Sequence, residues 1–296
     1  MNLLIKKATL IPSNLHLFQT VDVLIAEGRI TEIGPDIQAE GAVLIDAEGQ
    51  FLVPGLVDVH VHFREPGQIE KEDLRSGSSA AAVGGFTTVV AEPNTRPPID
   101  TPYRLCRLLE KAKTKSLINF YSKAAMTRGM KGERLTDIVK LKEAGARALS
   151  DDGNPVPSSR LMRNILIKSR ENGILITPHC EESPFYREKF IRKMKSAIKN
   201  GPPYRSESQF IKRDIELAEK TGGHLHISHV SLAKSVELIA NAKKRGVKVT
   251  AEVTPHHLLL TEKMAKEIGP NAKVNPPLRS EEDVSALREG LASGVI

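Results

Sequence analysis

The sequence contains no tryptophan, and aromatic residues make up only 4% of its 296 positions. Basic residues are dispersed among acidic ones, 43 against 36, and no aromatic-studded basic patch accompanies the net charge of +7. That charge therefore reads as a solvated surface, and no nucleic-acid partner is expected. Cysteine is almost absent too. Cys106 and Cys180 stand alone, in no metal-type spacing, which excludes a disulfide framework and fits a reducing, cytoplasmic location. No apolar run approaches the ~20 residues that a membrane span needs. Lys6 and Lys7 interrupt the apolar N-terminus in a way no signal peptide does. A phosphate loop, a dinucleotide fingerprint and a nucleophile elbow are all missing.

What remains is an ordinary globular composition, 40% hydrophobic and 27% charged, with enough chain for a large core. Residues 1–54 carry short β-rich runs and Glu-Gly turns at Gly28 and Gly49, predicting a small β domain. From residue 55 to 296 a different unit repeats: an amphipathic helix ending in glycine, a run of apolar β-formers, then a polar residue. AAAVGG-FTTVVAEPN, KEAG-ARALSDDG, RENG-ILITPHCE, EKTGG-HLHISHVS and KKRG-VKVTAEVTPHH are the clearest cases. Glycine ends such helices in the left-handed conformation, and near-continuous apolar runs suit strands buried on both faces. With GLVDVHVH and SLINFYS, seven parallel strands are predicted. A TIM-type (β/α)8 barrel follows, with a doubly wound open sheet as the alternative.

In such a barrel the chemistry gathers at the C-terminal strand ends. The first predicted strand closes on His60-Val61-His62-Phe63-Arg64, and its period of two puts His60, His62 and Arg64 on one side. The second, fourth, fifth and sixth close on Pro93-Asn94, Asp151-Asp152-Gly153, His179-Cys180-Glu181 and His229. Four imidazoles and a carboxylate exceed the needs of one tetrahedral zinc and match two metals bridged by a carboxylate. Such a pair can hold a hydroxide and polarise a carbonyl, which points to hydrolysis or condensation of an amide-like bond. Arg64 suits a bidentate grip on an anionic substrate. Asn94 and Asn275 offer neutral donors and acceptors for positioning, or else cap their loops.

The other histidines carry less. His224 and His226 have opposite parity to His229 and are expected at the barrel–helix interface. His256 and His257 end the seventh strand, where they can pack, brace or touch substrate. His16 is expected at the surface of the small β segment, and Cys180 as a buried packing thiol.

Taken together, DVHVHFREPG, EPNT at Glu92, SDDG at Ser150, PHCE at Pro178, HISHVS at His226, EVTPHHL at Glu252 and NPPLR at Asn275 resemble the type I dihydroorotases of the amidohydrolase superfamily. The resemblance runs over nearly the whole chain. It implies two zinc ions in a barrel, bridged by an aspartate and a hydroxide, that interconvert N-carbamoyl-L-aspartate and L-dihydroorotate in pyrimidine synthesis. It assigns His60 and His62 to one zinc, His179 and His229 to the other, and the bridge to Asp152 in preference to Asp151. Arg64, Asn94 and Asn275 then bind substrate, with His62 nearby. Many relatives bridge with a carboxylated lysine; the acids here match the subgroup that uses aspartate.

One departure stands out. The family's Asp-His-Ala-Pro-His motif, whose Asp moves the proton, is absent from the sequence. Val295-Ile296 falls where an eighth strand is expected to begin. The expectation is thus a barrel lacking its eighth strand, a partial β domain, no general acid or base within the chain, and impaired activity. Alternatives are another cyclic amidase, such as an allantoinase or hydantoinase, or a non-catalytic scaffold for aspartate carbamoyltransferase. A homo-oligomer is a further expectation.

Overall fold

Alternating apolar residues near the N-terminus build a mixed sheet around a central strand β1 (Leu3–Leu10). β2 (Gln19–Ala26) pairs with it antiparallel, and β3 (Arg29–Gly34) follows antiparallel on β2. β4 (Val43–Asp46) and β5 (Phe51–Leu52) lie parallel to β1 on its other side. Lys7 takes φ 57° where the β1–β2 register shifts. Its amide donates to Asp22 Oδ1 at 2.8 Å, so the buried carboxylate satisfies a donor that the ladder cannot.

This is a computed structural model, and it describes residues 2–11, 19–181 and 207–296. The chain divides into two compact units, Met1–Leu56 and Val57–Ile296. His16 lies outside the described residues.

The larger unit is the parallel βα series. β6 (Leu56–Val61), β7 (Phe86–Ala91) and β8 (Asn119–Ser122) form one sheet. β9 (Ala124–Ala125), β10 (Ala148–Ser150), β11 (Leu175–Ile176), β12 (Leu225–Ile227) and β13 (Val249–Ala251) form another, in that order. Only Lys123 separates β8 from β9, and its amide still bonds to Ala91 at 2.8 Å, so the two are halves of one strand. Among the described residues, seven strands therefore alternate with helices, with β6 and β13 as end members.

Register explains how the strands sort their side chains. Leu149 pairs with Ile176, Ile176 with Leu225, and Leu225 with Val249, forming one row across β10 to β13. All four are buried in the apolar cluster shared with the helices. Ile165 from the helix Ser159–Asn172 and Ile239 from Ala233–Lys244 belong to the same cluster. The alternate residues turn to the other side of the strands, where polar groups meet. Helix ends follow the sequence grammar. Ser158 caps the helix Ser159–Asn172 by accepting from Leu161 N–H, and Gly173 ends it at φ 58°, ψ 45°.

Candidate metal centre

His60 and His62 project from the end of β6 on the same side, their ring centroids 5.2 Å apart. His179, after β11, and His229, after β12, make a second pair with Nδ1 and Nε2 3.0 Å apart. Asp152 stands between the pairs. Its Oδ1 lies 3.1 Å from His179 Nδ1, 3.1 Å from His229 Nε2 and 3.8 Å from His60 Nε2. Its Oδ2 lies 3.6 Å from His62 Nε2. One buried carboxylate thus faces all four imidazoles. Burial alone would raise the Asp152 carboxyl, but the hydrogen bonds with His179 and His229 outweigh it and hold it well below the usual range.

Its neighbour is turned elsewhere. Asp151 accepts from Thr127 N–H at 3.1 Å and from the Thr127 hydroxyl, away from the histidines. Burial pushes its carboxyl up to about 7 against those bonds. The adjacent acids, equivalent in composition, therefore occupy opposite electrostatic situations.

Each first-pair ring is oriented by a second group. Asn94 Oδ1 lies 3.1 Å from His62 Nδ1, which leaves Nε2 toward Asp152. His60 Nδ1 bonds to Glu252, and its Nε2 faces Asp152 and, at 3.8 Å, Glu92 Oε1. Burial disfavours charge on His60, yet the Glu252 bond and the Glu92 and Asp152 carboxylates prevail and push it up to about 9. At His62 burial wins, and the pKa is lowered despite Asp152.

The donor set fits a divalent metal. His60, Asp152 and His229 each offer a ligand atom, all within 4.8 Å of one another. Imidazole and carboxylate are borderline donors suited to zinc-like ions. Three carboxylates, Glu252, Glu92 and Asp152, surround His60, and a cation would balance their negative charge there.

The expected substrate-binding residues are placed differently from one another. Arg64 is partly exposed, and its guanidinium makes no hydrogen bond or ion pair among the described residues. Asn94 is partly committed through its bond to His62. Asn275 Nδ2 reaches His179 Nε2 at 3.4 Å. Its loop is pinned twice. His257 Nε2 lies 3.0 Å from the Pro276 carbonyl, and Arg279 reaches Ser231 Oγ at 3.0 Å and Glu181 Oε1 at 3.3 Å. His257 is thus a buried brace, and burial pushes its pKa down to about 4. Cys180 is buried with its thiol pushed up by burial.

Two histidines depart from expectation. His224 is exposed, and His226 does not sit among the helices: Nδ1 meets Thr250 Oγ1 at 2.8 Å and Nε2 meets Glu252 Oε2 at 3.0 Å. The parity argument failed because His229 takes φ 36°, a left-handed turn that breaks the strict alternation along β12. Three groups were given no role by the sequence reasoning, namely Glu252, Glu92 and Lys123. Their available signals were the acid in EVTPHH, the acid in AEPNT and a lysine ending an otherwise apolar run. Lys123 and Glu92 form a wholly buried ion pair, and Glu92 Oε2 has no hydrogen-bond partner among the described residues.

A family model described as Dihydro-orotase-like matches residues 49–235. The chain is 42% identical over 300 residues to a dihydroorotase of Geotalea daltonii, spanning 100% of this chain and 71% of that one. It is 44% identical over 299 residues to a dihydroorotase of Ruminiclostridium cellulolyticum, spanning 100% and 70%. In three dimensions it resembles an L-hydantoinase (dihydropyrimidinase) from Arthrobacter aurescens, with a TM-score of 0.83 at 28% identity over 99% of this chain and 67% of that one. A D-hydantoinase gives a TM-score of 0.80 at 25% identity, over 100% and 67%. With this likeness extending along its full length, the chain belongs to the dihydroorotase-like family of the amidohydrolase superfamily.

Proposed function

We propose that this hydrolase of cyclic amides interconverts N-carbamoyl-L-aspartate and L-dihydroorotate, the ring-forming step of pyrimidine synthesis. The observation that carries the reading is the Asp152 carboxylate, which faces both histidine pairs. His60 and His62 would hold one zinc ion and His179 and His229 a second, with Asp152 shared between them. Bound there, the metal supplies Lewis-acid polarisation of an amide carbonyl and lowers the pKa of water.

The chain's own residues supply binding and orientation. Arg64, uncommitted among the described residues, offers two parallel N–H donors to the substrate carboxylate. Asn94 keeps its amide N–H groups available while its oxygen orients His62. Asn275 is held over His179 by the His257 and Arg279 braces, where it can meet the ring amide. Glu252 and Glu92 are committed to His60, His226 and Lys123, so neither is free to move the proton. Among the described residues, no helix is long and apolar enough to cross a membrane.

The hydantoinase likeness supports a second reading as a cyclic amidase for uncharged rings. The Arg64 guanidinium, unpaired among the described residues, argues against it, since hydantoin has no carboxylate to receive that charge. A rate comparison on zinc-loaded protein separates the two. Dihydroorotate should turn over faster than hydantoin or allantoin; a preference for either of the latter defeats the dihydroorotate reading.

A further inference from the structure

Glu252, just past β13, joins three polar groups and belongs to neither histidine pair. Its Oε1 accepts from His60 Nδ1 and, at 3.3 Å, from the backbone N–H of His229. Its Oε2 takes His226 Nε2 at 3.0 Å, and His226 is steadied in turn by Thr250 Oγ1 at 2.8 Å on Nδ1. The carboxylate therefore touches one member of each histidine pair and is itself braced from the neighbouring strand.

We propose that Glu252 is the positioning residue that sets both histidine pairs for metal, with His226 as its brace. The inference rests on the metal-centre reading above. Accepting the Nδ1 proton of His60 fixes which ring nitrogen carries hydrogen, so Nε2 is the one presented toward Asp152. A carboxylate that accepts the non-ligating N–H of a metal-binding histidine both orients the ring and raises its basicity. Toward His229 the action runs through the backbone. The N–H bond supports the left-handed residue at φ 36° that redirects the side chain from the strand to the centre. Without that bond, nothing in the alternation of β12 would aim His229 at Asp152. Glu252 thus acts on the first pair by ring orientation and on the second by main-chain geometry.

Calorimetric titration of chelator-stripped protein with Zn²⁺ tests this, using wild type, Glu252→Ala, Glu252→Gln and His226→Leu. Loss of such a supporting group weakens metal affinity about 10–100-fold. Glu252→Ala should weaken both zinc sites by that order. Glu252→Gln, which keeps one acceptor, should recover part of the loss, and His226→Leu should show a smaller loss in the same direction. A second readout is the slowly exchanging, downfield Nδ1 proton of His60 in nitrogen-15 spectra of the zinc-loaded protein. It should be present in wild type and lost in Glu252→Ala. Wild-type affinity at both sites in Glu252→Ala, with the His60 proton retained, overturns the proposal while leaving the metal centre standing. Failure of wild type to bind zinc defeats the metal-centre reading and this proposal with it. Where Glu252→Ala does not fold, Glu252→Gln and His226→Leu decide, and unchanged affinity in both counts against it.

Discussion

The Lys123 ammonium and the Glu92 carboxylate pair with side-chain exposures of 2% and 0%, in the one-residue gap between β8 and β9. Two opposite charges sealed together offset much of each other's desolvation, but one left alone does not. Lys123→Met or Glu92→Met should each destabilise the fold by about 3–5 kcal/mol, whereas the double variant should be about as stable as wild type. Urea denaturation of the four proteins checks this. Additive losses in the double variant would show that the two residues are not coupled.

Asp151 and Asp152 provide an internal control. Asp152→Asn should abolish binding of at least one zinc, because a neutral amide replaces the shared carboxylate; Asp151→Asn should leave zinc stoichiometry unchanged. Elemental analysis of the dialysed proteins distinguishes them.

Asp151 also predicts a pH effect. Its folded pKa is raised from 3.8 to about 7, so the folded state favours the protonated acid. The associated stability is present below about pH 4 and is lost as pH rises through about 7. Asparagine mimics the protonated acid at every pH. Asp151→Asn should therefore match wild type near pH 4 and become progressively more stable than it toward pH 7. Paired thermal melts across that range measure the difference.

His257 works in the opposite sense. Burial depresses its folded pKa from 6.5 to about 4, so its contribution is present above pH 6.5 and lost as pH falls toward 4. His257→Gln keeps a donor for the Pro276 carbonyl and removes the titration. The variant should lose less stability than wild type between those pH values.

For Arg64, charge-assisted hydrogen bonds worth about 1.5–3 kcal/mol correspond to roughly 10–100-fold in binding. Arg64→Met should raise KM for dihydroorotate by that order with zinc content intact. An unchanged KM would remove Arg64 from the carboxylate site.

Where sequence was a good guide, the reason is periodicity. His60 and His62 obey the two-residue alternation of β6, and the glycine at 173 ends its helix in the left-handed conformation. The apolar runs mark strands because one face packs on helices, as Leu149, Ile176 and Leu225 do. Sequence was a poor guide where the backbone departs from regular geometry. The turn at His229 made His226 look outward-facing, and the partnership of His226 with Glu252 depends on the register between β12 and β13. Lys123 was invisible for a different reason. A lysine at the end of an apolar run reads as solvent-facing until a buried acid on the adjacent strand is found beside it.

The contact between His60 and Glu252 joins positions 192 residues apart in the chain. Closing so long a loop is entropically costly, and a ligand that binds only after closure stabilises the closed arrangement. On the proposed metal reading the histidine cluster would act as a latch: zinc in excess should raise the melting temperature, and a chelator should reopen the latch at a temperature the metal-loaded protein tolerates.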